Sequence, residues 1–242
     1  MHRTRIVGPG RVGTALATAL GRAGWAVEPL LGRGDDLRGA AAGVDLLVLA
    51  VPDAAVAEVA GAVEPEAATV VVHLAGSLTL AVLEPHPRRA SVHPLVAVPA
   101  GPTGADRLVG ASYAVAGDPQ ARDLVAALGG TPFAVADADR VAYHAAAVIA
   151  SNHLVGLLGQ VERVARTAGV PLDAYLDLAR GSIDNVAALG PAAALTGPVA
   201  RGDRATVEAH LAALDPAERP GYEAGVALCE ALLPAGRAGV AR

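Results

Sequence analysis

Residues 5–20 constrain this chain more than any other stretch. Arg5-Ile6-Val7 runs into Gly8-Pro9-Gly10-Arg11-Val12-Gly13, and Thr14 to Leu20 follows with an apolar stripe at helical spacing. The order is strand, G-x-G-x-x-G, helix. With 28 glycines in the chain, the glycine pattern alone is weak. Placed between a first strand and a first helix, it specifies a dinucleotide-binding unit. Gly8 permits the tight turn, Gly10 lets backbone approach a pyrophosphate, and Gly13 lets the helix pack on the strand. The helix N-terminus then offers unpaired N–H groups and a partial positive charge to phosphate.

The alternation continues for about 130 residues. A second strand is expected over Ala26 to Leu31 and a third over Val44 to Ala50, whose unbroken apolar run fits a strand buried on both faces. Val51-Pro52-Asp53 opens the next helix, Thr69 to Leu74 is a strand closed by Ala75-Gly76-Ser77, and Ala90-Ser91-Val92 ends at His93-Pro94-Leu95. Tyr113 to Ala116 and Thr131 to Val135 complete the set. The expected fold is α/β, a doubly wound, mainly parallel Rossmann-type sheet, in which loops 8–13, 51–54, 74–78 and 93–96 share the carboxyl edge where ligands bind.

From Asp137 the period becomes helical. Asp139 to Ala168 reads as one long, almost wholly apolar helix, stopped by Gly169-Val170-Pro171, and Leu172 to Ala188, Asp203 to Leu214 and Pro216 to Leu233 follow. The domains are therefore expected to be 1–136, dinucleotide-binding, and 137–242, an all-α domain for substrate and dimerisation. A helix apolar all round is buried, which places this one in a domain or subunit interface and predicts a homodimer.

Composition narrows the function. Hydrophobic residues make up 53%, but Gly, Pro and charges interrupt them, and no stretch approaches the ~20 uninterrupted apolar residues that span a bilayer. With only a short apolar run near the N-terminus, the chain is expected to be cytoplasmic and free of membrane. A net charge of −5 and 2% aromatics argue against nucleic acid, which calls for a basic stripe and stacking residues. The single cysteine, Cys229, allows neither a disulfide nor a cysteine metal site, and no metal is expected. All 19 basic residues are arginine, so lysine chemistry is excluded.

The residue that closes the second strand meets the adenosine ribose: an acid there favours NAD, while arginine accommodates the 2′-phosphate of NADP. Glu28 lies inside that strand, before Pro29, whereas Arg33 stands at its end, which points to NADP over NAD. The expected cofactor-binding residues are Gly8, Gly10, Arg11, Val12, Gly13, Arg33, Val51, Pro52 and Ala75.

The fingerprint, Val51-Pro52-Asp53, Ser91-Val92-His93-Pro94-Leu95 and a helical second domain together resemble the 6-phosphogluconate-dehydrogenase-like superfamily, which includes ketopantoate, pyrroline-5-carboxylate and prephenate enzymes. Tyr143 to Asn152 and Leu195 to Asp203 are similar to a subgroup that joins a Rossmann-like domain to a C-terminal domain of unknown function. The resemblance spans nearly the whole chain and implies NADP-linked chemistry on a small carboxylic acid, with ketopantoate as the best single substrate. The catalytic lysine of ketopantoate reductases has no counterpart here.

Hydride transfer requires a donor to the substrate carbonyl and a clamp for its anion. His93 at the ligand edge is a candidate donor, its alternative being a turn histidine that bonds backbone. Asn152, beside Ser151 in the long helix, is a second candidate, and Arg201 suits a carboxylate. His144 shares a helix face with Asn152 and is expected in a supporting role. Arg88 and Arg89 read as solvated loop charges. The leading function is an NADP-dependent reductase of a small 2-oxo acid. The alternatives are a dehydrogenase or imine reductase acting on an amino-acid-like or prephenate-like substrate, and a non-catalytic dinucleotide-binding sensor or scaffold.

Overall fold

The computed structural model describes residues 2–234. Seven strands form one sheet in the order β2-β1-β3-β4-β5-β6-β7. They are β1 (Arg3–Val7), β2 (Ala26–Val27), β3 (Leu46–Leu49), β4 (Val70–His73), β5 (Arg89–Pro94), β6 (Ser112–Gly117) and β7 (Thr131–Ala134). Neighbours pair in parallel except β5 with β6, which are antiparallel. The doubly wound, mainly parallel sheet read from the sequence is therefore present. Because β2 and β3 flank β1 on opposite sides, the chain reverses direction there, and the crevice above β1 and β3 is the expected ligand position.

Alternation along the strands assigns side chains to the two faces. Leu46 and Val48, Val70 and Val72, and Ala90 and Val92 pack with α1 (Arg11–Arg22), α3 (Thr103–Leu108) and α4 (Ala121–Ala127) on one side. Leu47, Leu49 and Val71 pack with Val56 and Ala60 of α2 (Val56–Gly61) and with Leu83 on the other. On that second face β4 and β5 end in His73, Ser91 and His93, polar groups in an otherwise apolar layer.

The second strand is shorter than expected. Only Ala26–Val27 pairs regularly, and Leu31 rejoins β1 through a single bridge to Val7. Pro29, which lacks a donor, stands between them, and such a break is tolerated at a sheet edge.

After β7 the chain is helical. It runs through α5 (Arg140–Val148), a π turn at Ile149–His153, α6 (Leu154–Thr167), α7 (Leu172–Leu189), α8 (Pro191–Ala194), α9 (Gly197–Arg201), α10 (Arg204–Ala213) and α11 (Arg219–Glu230). Gly169, at φ +70, ends α6 as its position before Val170-Pro171 implies. Two compact units divide at Ser151 and Asn152, after the last strand and inside this helical run.

The long helix, expected in a domain or subunit interface, is largely exposed within this single chain. Val141 is 72% exposed, Val155 68% and Leu157 52%, and Ala165 is the one buried residue of α6. A helix apolar all round needs neighbours on every side, and one chain of this size does not supply them. By length and composition, the run Asp137–Thr167 is long and apolar enough to cross a membrane. Its first turn is nevertheless tied into the sheet-bearing unit, where the Arg140 side chain is fully buried against β5.

Candidate active site

The glycine loop joins β1 to α1, and its glycines stand in different surroundings. Gly8, at φ +110, closes against β3, where an added Cβ would run into the Ala50 carbonyl. A Cβ on Gly13 would strike the carbonyl of Gly8 and meet Ala50 Cβ at 3.2 Å. The packing of α1 on the strands thus requires both glycines. Gly10 has ordinary extended backbone (φ −79, ψ −173), and a Cβ added to it would meet nothing within 4 Å. Nothing inside the protein demands glycine there. The space above it lies at the start of α1, where Gly10 carries no side-chain cap and the first N–H groups face outward.

Beside this loop the end of the second strand is held by backbone. Gly8 N–H donates to the Leu31 carbonyl at 2.8 Å, and Gly32 N–H donates to Asp35 Oδ2 at 2.7 Å. Arg33 sits exposed in the turn that follows and has no ion-pair partner among the described residues. Glu28 is occupied, since Arg3 Nη2 donates to it at 2.7 Å and holds its carboxyl below the usual range. Val51 packs beside Gly8, Pro52 is exposed at the start of a short 3₁₀ turn, and Ala75 is buried after β4.

A cleft of about 300 Å³ runs from this loop to β5, lined by Arg11, Val12, Leu74, His93, Pro94 and Val96–Val98. His93 belongs to the strand itself, paired with Ala114 of β6, and is not in the loop after it. Its Nδ1 lies 2.6 Å from the Tyr143 hydroxyl, so the ring bonds a side chain on α5 and not the backbone of a turn. Burial first, then the neighbouring His144, lower its pKa to about 4, and the ring is neutral at physiological pH. Gly76 makes room for this arrangement: a Cβ there would collide with His144 Nδ1 and come within 3.1 Å of His93 Cε1 and Nε2. His144 Nδ1 is buried without a hydrogen-bond partner.

Behind His93 lies a polar cluster that sequence reasoning missed. Arg140 is fully buried and donates from Nη1 to Ser91 Oγ at 3.0 Å and from Nε to Asp137 Oδ1 at 3.1 Å. Ser91 is paired in register with His73, which is also fully buried. Burial, followed by the charge of Arg140, lowers the His73 pKa to about 4. In the sequence, Arg140 follows Asp137-Ala-Asp139 and looks like an exposed cap charge. The available signal was two polar residues, His73 and Ser91, at inward positions of apolar strands. The two arginines read as solvated are also engaged: Arg88 forks onto Asp118 at 2.8 and 3.0 Å, and Arg89 reaches Glu84 at 3.2 Å.

The remaining candidates belong to the second unit. Asn152 lies in the π turn, is exposed, and makes no side-chain hydrogen bond among the described residues. Such turns recur at functional sites. Arg201 closes α9, exposed and without an ion-pair partner among the described residues. Asp203 caps α10, accepting from Thr206 N–H at 3.1 Å and Thr206 Oγ1 at 2.7 Å. No cluster of metal-ligating side chains occurs among the described residues.

Comparison with known proteins adds to the geometry. Residues 112–227 match the model of DUF2520, a domain of unknown function. No curated protein matches the sequence. Among solved structures, a candidate NADP oxidoreductase of Bacteroides fragilis is similar at TM-score 0.77 and 23% identity, covering 95% of this chain and 98% of that one. A reductive aminase of Aspergillus terreus, solved with NADPH and ethyl levulinate, gives 0.71 and 18%, covering 99% and 96%. A pyrroline carboxylate reductase of Plasmodium falciparum with NADP bound gives 0.63 and 14%, covering 96% and 98%. At these identities the likeness establishes a shared fold, a Rossmann-type sheet followed by helices.

Proposed function

We propose that this chain is an NADP-dependent oxidoreductase that reduces a small 2-oxo acid, with a ketopantoate-like substrate as the first candidate. One observation carries the reading. Gly10 is glycine where the protein itself has no use for one, at a helix N-terminus that opens into the His93 cleft. A phosphate needing close backbone approach accounts for it. Arg33, exposed beside Gly8-Pro9 and unpaired among the described residues, is the group for the 2′-phosphate, and Arg11 and Val12 face the cleft. The NADP and NADPH complexes among the structures of like fold support the same cofactor.

NADPH, when bound, supplies hydride. The chain's own part is to hold and polarise the acceptor. His93, neutral and at the cleft wall, provides a donor aimed at charge developing on the substrate oxygen, a role that neutral imidazole can fill. By side-chain chemistry alone, Asn152 is a second donor and Arg201 a fork suited to carboxylate. A second reading, reduction of a C=N bond, draws support from the reductive aminase and pyrroline carboxylate reductase of like fold.

The test is an NADPH titration followed by NADPH oxidation over a panel of 2-oxo acids and cyclic imines. Turnover of a 2-oxo acid supports the leading reading, and turnover confined to imines supports the second. A protein that neither binds nor oxidises NADPH overturns both. On the best substrate, His93→Ala and Asn152→Ala are expected to lose ~10²–10³ in turnover, and Arg201→Ala to act mainly on KM.

A further inference from the structure

His93 and Tyr143 come from distant parts of the first unit's chain, one near the end of β5 and the other in the first turns of α5. Several contacts fix their meeting. Arg140, three residues before Tyr143, is bound to Ser91 of β5, two residues before His93. The Tyr143 ring is edge-on to Phe133 of β7, with centroids 5.9 Å apart. The His144 and His93 rings are 5.8 Å apart and edge-on, in the space left by Gly76. The 2.6 Å contact between Tyr143 Oη and His93 Nδ1 is thus held from several sides.

A neutral imidazole carries one proton, on Nδ1 or Nε2. A phenol O–H is a good donor and its oxygen a modest acceptor, whereas a bare imidazole nitrogen accepts well. Tyr143 Oη has no other partner among the described residues. If Nδ1 carried the proton, the half-buried hydroxyl would lose its acceptor. If Tyr143 donates to a bare Nδ1, both groups are satisfied and the His93 proton must sit on Nε2. That nitrogen makes no hydrogen bond among the described residues and belongs to a ring that lines the 300 Å³ cleft.

We propose that Tyr143 is a positioning residue that fixes His93 as its Nε2–H tautomer, making the cleft a site for a hydrogen-bond acceptor and so for a carbonyl, not a protonated imine. An iminium nitrogen has no lone pair to receive that proton, and a carbonyl oxygen has two. The proposal rests on the oxidoreductase reading for its substrate half, while the tautomer half stands on the contact alone. In the reduction, hydride forms the new C–H bond and the C=O π pair moves onto oxygen. The Nε2 proton passes to that oxygen, the Tyr143 proton passes to Nδ1, and water reprotonates the phenolate. Burial raises the Tyr143 pKa and the charge of Arg140 offsets only part of that rise, so the phenol is the resting form and the phenolate is passed through only transiently. Tyr143, His144, His73, Asp53 and Arg140 are the titratable or charged groups that act on the His93 ring.

The experiment is a long-range proton–nitrogen correlation of the histidine rings of the full-length ¹⁵N-labelled protein at pH 7, with His93 assigned by the signal lost in His93→Gln. The expected result is a protonated Nε2 and a bare, hydrogen-bonded Nδ1, whose resonance moves downfield in Tyr143→Phe. A protonated Nδ1 in the unsubstituted protein overturns the proposal whatever NADPH does, and needs no variant to fold. So does an Nδ1 resonance unmoved in a folded Tyr143→Phe. With the tautomer as expected, faster turnover of cyclic imines than of 2-oxo acids overturns the acceptor half. The expected tautomer in a protein that ignores NADPH sinks the oxidoreductase reading and leaves the Tyr143 assignment standing. In steady state, Tyr143→Phe is expected to lower kcat roughly 2- to 10-fold with the KM for NADPH unchanged, the loss typical of one neutral hydrogen bond.

Discussion

The guanidinium of Arg3 lies 2.7 Å from the carboxylate of Glu28. That pair occupies the one acid within the second strand, and on the proposed reading Arg33 is then the group that meets the cofactor's adenosine end. Loss of one charge-assisted contact to a phosphate costs about 1.5–3 kcal/mol, or roughly 10- to 100-fold. Arg33→Ser is therefore expected to weaken NADPH by that factor and NADH by less than about twofold, measured by titration of cofactor fluorescence. Equal losses for both cofactors would remove Arg33 from the site.

Gly10 and Gly13 separate ligand approach from packing. Leucine at position 10 meets nothing within 4 Å at its Cβ and takes ordinary backbone angles, so Gly10→Leu is expected to keep the parent Tm within a degree or two and lose cofactor binding. Gly13→Ala drives a methyl into the Gly8 carbonyl and is expected to cost about 1–3 kcal/mol of stability. Thermal unfolding and cofactor titration on both variants read the difference. A destabilised Gly10→Leu would mean that its glycine serves the fold and not a ligand.

Much of this was legible in the sequence because it was local. Strand, glycine loop and helix over 5–20 carry their own physical requirement, and apolar period 2 giving way to period 3.6 near residue 137 marks the change from sheet to helices. The four loops at the carboxyl edge follow from strand ends alone. What escaped was set by tertiary register. Arg140 is buried because α5 returns to the sheet end where His73 and Ser91 stand side by side, and no local pattern separates that arginine from a solvated helix cap. Gly76 is glycine because two imidazoles occupy its Cβ space, a fact that spacing cannot carry. The long helix was legible as an apolar surface that needs covering, and the chain itself leaves much of that surface exposed.

That exposed surface carries a prediction about assembly. Leu178 is 67% exposed, Leu228 73%, Val155 68% and Leu189 60%, all in the second unit. Apolar side chains in such number are rarely left to water in a stable monomer. The expected state is a homodimer, and sedimentation at micromolar concentration checks it. Val155→Glu with Leu178→Glu is expected to shift the boundary toward a monomer, and a monomeric parent protein would sink the prediction.

Acid should unfold this protein through its buried histidines before its carboxylates. His73 and His93 both have pKa values lowered to about 4, burial being the largest cause for each. In the unfolded chain an imidazole takes its proton near the ordinary value of 6.5. Between 6.5 and about 4 the unfolded state therefore binds more protons than the folded one, and protonation favours unfolding. The sign follows: stability is full above pH 6.5, falls as pH drops toward 4, and loses nothing further from these two groups below that. Glu28 and Asp118, whose carboxyls are held low by arginine partners, add their own loss only at the acid end. The histidine contribution is thus cleanest between about pH 6.5 and 5. Each fully engaged proton contributes a limiting slope of about 1.4 kcal/mol per pH unit. His73 is wholly buried beside Ser91, and neither ring nitrogen makes a hydrogen bond among the described residues, so His73→Leu removes one such proton without leaving a polar group newly unpaired. Urea unfolding at about pH 7.5, 6 and 5 is expected to show the parent midpoint falling steeply and that of His73→Leu falling by a smaller amount. If the two slopes coincide, His73 takes its proton equally well in the folded and unfolded states.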